Sequence, residues 1–108
     1  AIGSAHGLYE GEPKLDLELL EELEEAVDIP LVLHGGSGLA DQQFRDAIKR
    51  GICKVNIFTD LSVTARDRMK AAAQEEDASY FSITGAIREA FKERCGHFLD
   101  VFGASGKA

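Results

Sequence analysis

Short apolar runs alternate along this chain with stretches whose apolar residues recur every three or four positions, and Gly, Pro or Asp punctuates the changes. Strand followed by amphipathic helix, repeated, is the pattern of a parallel α/β fold. Residues 1–5 read as the C-terminal stub of a strand, followed by a Gly-rich polar loop over residues 7–13. Leu15, Leu19, Leu20, Leu23 and Val27 share a helical face opposite a set of Glu, with Asp16 placed as N-cap, which predicts a helix over about residues 16–27. Asp28-Ile29-Pro30 ends it. Leu31, Val32 and Leu33 then predict a strand buried on both faces, running into His34-Gly35-Gly36-Ser37-Gly38.

Asp41 is expected to cap a second helix with Phe44, Ala47 and Ile48 on one face, and Gly51 after Lys49-Arg50 suits the left-handed position past its end. Residues 52–58 predict a third strand with Lys54 and Asn56 as polar interruptions. Thr59 or Asp60 opens a helix to about residue 73, before Glu75-Glu76-Asp77. A last helix over about residues 84–102 carries Ile87, Phe91, Phe98, Leu99 and Phe102. No internal repeat and no linker points to a second domain.

Composition adds limits. With 44% hydrophobic and 29% charged residues, the chain is of ordinary globular type. Twelve Lys and Arg against 19 Asp and Glu give a formal charge of −7, the wrong sign for gripping a nucleic-acid backbone. No apolar run approaches the ~20 residues that span a bilayer, and the basic-then-apolar layout of a secretory signal is missing. A cytoplasmic protein with neither nucleic-acid nor membrane partners is expected. Cys53 and Cys95 are isolated and read as reduced structural thiols rather than a disulfide or zinc ligands.

The residues able to do chemistry gather where parallel folds build their sites. His6, the segment from His34 to Ser37, and the segment from Asn56 to Asp60 each follow the C-terminal end of a predicted strand. Neutral imidazoles bind zinc well, and catalytic zinc sites commonly use three protein ligands with one open position, so His6 and His34 make two. Two backbone-bonded strand-end histidines are the alternative. The Gly35-Gly36-Ser37-Gly38 run exposes backbone N–H groups ahead of a helix, which suits a phosphate, with the Ser37 hydroxyl as a further donor; plain turn glycines are the alternative. Asn56 and Thr59 would supply a second loop. His97 reads as structural. Lys54 could form a Schiff base with a ketone, but its early place in the strand favours a packing or surface role.

Three spaced segments carry a family resemblance: Ala1-Ile-Gly-Ser-Ala-His-Gly-Leu-Tyr-Glu-Gly-Glu-Pro-Lys-Leu-Asp16, Pro30-Leu-Val-Leu-His-Gly-Gly-Ser-Gly38 and Lys54-Val-Asn-Ile-Phe-Thr-Asp60. In order and spacing they resemble the C-terminal part of class II fructose- and tagatose-bisphosphate aldolases, over essentially the whole chain. The resemblance implies an α/β fold made of about strands 6–8, with their helices, of a (β/α)₈ TIM barrel. It implies a metal-dependent lyase of carbohydrate metabolism and glycolysis that cleaves or forms a ketose 1,6-bisphosphate through a dihydroxyacetone phosphate enediolate. The cofactor implied is Zn²⁺ on His6 and His34, with room for a monovalent cation besides. Gly7, Gly35, Gly36 and Ser37, with Asn56, Ile57, Phe58 and Thr59, correspond to the residues that hold the dihydroxyacetone phosphate end.

The family's third zinc histidine and its acid/base aspartate belong to an N-terminal half with no counterpart in these 108 residues. A whole barrel takes about 250 residues, and three strands alone would leave open edges and an uncovered interior. The segment alone is therefore expected to be inactive, and to work as a homo-oligomer or beside a complementing N-terminal chain. No catalytic residue is identified here, and the residues do not choose between fructose and tagatose substrates. A non-catalytic phosphate- or metal-binding fragment is the alternative, and a role in assembly through the last helix is a third.

Overall fold

In a computed structural model that describes residues 1–7, 11 and 13–107, the alternating pattern becomes α1 (Leu17–Ala26), β1 (Leu31–Leu33), α2 (Asp41–Lys49), β2 (Ile52–Val55), α3 (Thr59–Ala72) and α4 (Tyr80–Val101). Within the 7–13 loop, Leu8, Tyr9, Glu10 and Glu12 lie outside the described residues. The chain forms two compact units, Ala1–Thr59 and Asp60–Ala108.

In the first unit β1 and β2 pair in parallel as a two-stranded sheet. Leu31 faces Ile52, Val32 faces Lys54 and Leu33 faces Val55, and an irregularity after Leu31 passes over Cys53. Side chains alternate between the two faces of a strand. Leu33 is accordingly buried, while Val32 is 42% exposed and lies opposite the exposed Lys54. The expected burial of β1 on both faces is thus corrected: one face packs inward and the other, with Val32 and Lys54, is open.

Residues 1–5 form no strand; they run beside the start of α1. Ile2 is buried, and its carbonyl accepts from the Asp16 N–H at 2.9 Å. Gly3 has a φ of +95°, and a Cβ there would lie 2.7 Å from the Lys14 carbonyl oxygen. Gln43 of α2 clamps the same stretch, its Oε1 accepting from the Leu15 N–H at 3.1 Å and its Nε2 donating to the Pro13 carbonyl at 2.9 Å. A polar side chain therefore satisfies two backbone groups that no helix or sheet reaches.

Asp16 caps α1 as expected, accepting from the Leu19 N–H at 3.0 Å. Asp16→Ala is expected to destabilise the fold by about 1 kcal/mol, read as a lower denaturation midpoint at unchanged slope. Along α1 only Leu20 is buried, and Leu23 and Val27 are exposed, so the predicted apolar face is covered only in the helix's first half. The N-cap of α2 is Ala40, not Asp41. Asp41 is instead the first helical residue, where its charge favours the positive end of the helix dipole. Phe44 and Ala47 fill the core beneath the sheet residues Leu33 and Ile52, all of them buried. Gly51, at φ +101°, ends the connection into β2. That strand stops at Val55 rather than at residue 58.

The second unit pairs α3 with α4. Helix α4 starts at Tyr80, several residues before the predicted position, because Ser79 and Ser82 form a capping box. Ser79 Oγ accepts from the Ser82 N–H at 3.1 Å, and Ser82 Oγ accepts from the Ser79 N–H at 2.8 Å. Arg94 grips the Asp60 carboxylate with two donors and lies 4.6 Å over the Phe98 ring. Ala65, Ala90, Phe98 and Val101 are buried. No helix among the described residues is long and apolar enough to cross a membrane.

Candidate metal and phosphate site

Because Leu33 and Val55 lie in register in a parallel pair, the residues that leave the two strands emerge at one edge. The Asn56 N–H donates to the Leu33 carbonyl at 3.0 Å, which carries the ladder one step past β2. That step sets Asn56 beside His34, with its Nδ2 3.2 Å from both ring nitrogens. His6 arrives from the other side, its ring centroid 5.7 Å from that of His34 and the planes at 61°.

Gly35 makes this meeting possible. Its φ is +70°, and a Cβ there would lie 2.3 Å from the Ala5 carbonyl oxygen. Only a residue without a side chain lets the loop after β1 touch the backbone just before His6. At Gly36 a Cβ would meet the Phe44 ring at 2.8 Å and Ile57 Cδ1 at 3.1 Å, so the second loop also closes against this glycine. Ser37, next in the chain, is buried.

These loops enclose a cleft of about 280 Å³ lined by His6, Gly7, Gly35, Gly36, Ser37, Val55, Asn56, Ile57, Phe58 and Thr59. Of the metal and phosphate residues that the family resemblance implied, all but His34 line it; His34 with His6 borders an adjoining apolar groove of about 270 Å³. Among the described residues no Lys or Arg lines the cleft, so its polar groups are backbone amides, two hydroxyls, one carboxamide and an imidazole. Such a set can hold an anion by hydrogen bonds without a fixed positive charge. Phe58 is an oddity in it, with its ring 77% exposed at the edge of a polar cleft.

The two histidines suit a zinc ion. Zn–N bonds of about 2.0–2.1 Å at a tetrahedral ion bring two imidazole centroids to roughly 5 Å apart, close to the 5.7 Å seen here. Both residues are exposed rather than packed into the core. Among the described residues no group of three His, Cys, Asp or Glu gathers around them, so those residues offer two candidate ligands and not a full set.

His97 lies in α4 with its ring 5.4 Å from that of Phe98. Lys54 sits two residues before Asn56, on the open face of β2. Cys53 and Cys95 are free, as expected, but exposed. Parallel strands that end at one edge predict that His34 and Asn56 meet, and they do. Sequence reasoning missed the Ala5 carbonyl and the Gln43 clamp, which leave no pattern in the residues.

The family model for class II fructose-bisphosphate aldolase matches residues 1–107. The uncharacterized protein YdjI of Escherichia coli (strain K12) is 41% identical over all 108 residues, which span 38% of its length. The crystal structure of the YdjI aldolase aligns with the whole chain at a TM-score of 0.87 and 37% identity, over 39% of that protein. A Coccidioides immitis structure assigned as a fructose-1,6-bisphosphate aldolase aligns over 99% of this chain and 38% of its own, with a TM-score of 0.72 and 28% identity. A Campylobacter jejuni fructose-bisphosphate aldolase shares the fold at 22% identity, with a TM-score of 0.71 over 95% of this chain and 38% of its own. The chain thus spans less than two-fifths of these relatives.

Proposed function

The chain belongs to the class II fructose-bisphosphate aldolase family, and we propose that it is the C-terminal, metal- and phosphate-holding segment of a single (β/α)₈-barrel aldolase domain. The remaining strands, the third zinc ligand and the acid/base group come from a segment outside these residues, either the same polypeptide or a complementing chain. The observation that carries this reading is the convergence at one sheet edge of two imidazoles 5.7 Å apart with a cleft of neutral hydrogen-bond donors. Parallel strands with the site beyond their C-terminal ends are also what a barrel requires.

On this reading His6 and His34 hold Zn²⁺, and a monovalent cation accompanies it. The ion, when bound, supplies Lewis-acid polarisation of the substrate ketone. Gly7, Gly35, Gly36, Ser37, Asn56, Ile57, Phe58 and Thr59 hold the phosphate of the dihydroxyacetone phosphate end by backbone N–H and hydroxyl donors. Fixing that end orients the scissile carbon–carbon bond, which is where positioned binding lowers a barrier. No residue of this chain is assigned the proton transfer, so the segment alone is inactive. The substrate is a ketose 1,6-bisphosphate, of the fructose or the tagatose series, and the complete protein is a cytoplasmic homo-oligomer.

The two-ligand count among the described residues favours a second reading, a metal- or phosphate-binding module without chemistry. One assay separates them. Stripping zinc from the complete protein with a chelator is expected to lower ketose-bisphosphate cleavage by roughly a hundredfold or more, with recovery on adding zinc. Cleavage that survives chelation, or that never appears, overturns the aldolase reading.

A further inference from the structure

The contact between Asn56 and His34 has an unusual geometry. The Asn56 Nδ2 is 3.2 Å from both ring nitrogens of His34. An atom equidistant from both and lying in the ring plane would sit on the far side of Cε1, the carbon between them, and collide with it. The amide nitrogen therefore sits over the face of the imidazole and directs its N–H at the π system rather than at the in-plane lone pair. This amide leaves the in-plane direction of each ring nitrogen clear.

We propose that Asn56 is a positioning residue for His34: its carboxamide caps one face of the ring and fixes the rotation of the imidazole without competing for the nitrogen that binds metal. This rests on the reading of His34 as a zinc ligand and adds a task for Asn56 beyond contact with the substrate phosphate. The backbone makes the cap rigid, because the Asn56 N–H is tied to the Leu33 carbonyl in the residue just before His34. A free imidazole would have to give up rotation about its side-chain bonds to bind, whereas a capped ring has already given it up. No titration is involved, and the effect falls on metal affinity.

The test uses the complete protein with zinc alone as probe. Asn56→Leu keeps the bulk and removes the N–H, and is expected to weaken zinc binding about tenfold in competition with a chromophoric chelator. In the unsubstituted protein the Asn56 side-chain amide protons are expected upfield of the usual carboxamide range from the ring current of His34, a shift that His34→Ala removes. Zinc affinity within twofold of the parent in a folded Asn56→Leu, or unshifted amide protons, overturns the proposal. If His34→Ala itself leaves zinc affinity unchanged, the metal reading fails, which is a separate result. Should Asn56→Leu not fold, the amide shift decides alone.

Discussion

His34→Ala in the complete protein is expected to remove high-affinity zinc binding and to lower ketose-bisphosphate cleavage about a thousandfold, since a polarising metal contributes several kcal/mol at the transition state. The expectation comes from placement. His34 follows β1 at the sheet edge, is exposed, and its ring lies 5.7 Å from that of His6. A core histidine would give another result: its loss would lower stability and leave metal affinity in the surviving folded fraction unchanged. His97→Ala is the internal control. That residue lies in α4 against Phe98, and its replacement is expected to leave zinc affinity as it was. Zinc competition and denaturant midpoints on the two variants separate the roles.

Gly35→Ala carries the second large effect. Two penalties add at this position. The φ of +70° disfavours any residue with a Cβ, by about 1–2 kcal/mol. The added carbon would also lie 2.3 Å from the Ala5 carbonyl oxygen, a backbone atom that cannot rotate away. Relief requires the loop after β1 and the segment before His6 to separate, which would pull the two imidazoles apart. A total loss of roughly 2–4 kcal/mol is expected, with weaker zinc binding in whatever remains folded. Gly7→Ala calibrates the first penalty: its φ is +98°, yet no atom of the described residues lies within 4 Å of a Cβ placed there. If Gly35→Ala and Gly7→Ala weaken zinc binding equally, contact between the loops is not what holds the histidines together.

Much of this arrangement is legible in the residues themselves, and the rest is hidden for physical reasons. Helix α1 announced itself through Asp16 and the leucine spacing, and the Asp16 cap is present. The turn at Gly51 was legible too, because a left-handed position after a helix selects glycine. The start of α4 was misjudged because apolar periodicity marks the packed face, and Tyr80 and Phe81 at the helix's opening are exposed. The Ser79 and Ser82 pair was the signal to follow. Residues 52–58 overran β2 because Ile57 and Phe58 are apolar; Phe58 instead stands largely in solvent at the cleft. Likewise, three consecutive apolar residues at β1 implied burial on both faces, whereas an isolated two-stranded sheet leaves one face bare.

At the site, the residue types and strand-end positions were readable, and parallel pairing explains why. One sheet edge collects the residues following β1 and β2, whatever separates them along the chain. That His6 and His34 could meet there was readable; that their meeting depends on Gly35 touching the Ala5 backbone was not, because that contact has no periodicity to betray it. The open face with Val32 and Lys54 was also hidden. It matters for the barrel reading, since that face is the one a completing segment would cover.

On the proposed reading this chain brings two of three zinc ligands and the phosphate grip, and a second segment brings the rest. Zinc competition titration, run on the chain alone and on the chain assembled with that segment, tests it most directly. Weak binding and no bisphosphate cleavage are expected for the chain alone. The assembly is expected to show one tight site per chain, lost in His6→Ala and His34→Ala, together with activity. Tight stoichiometric zinc binding by the chain alone, or cleavage of a ketose bisphosphate by it, would overturn the aldolase-segment reading.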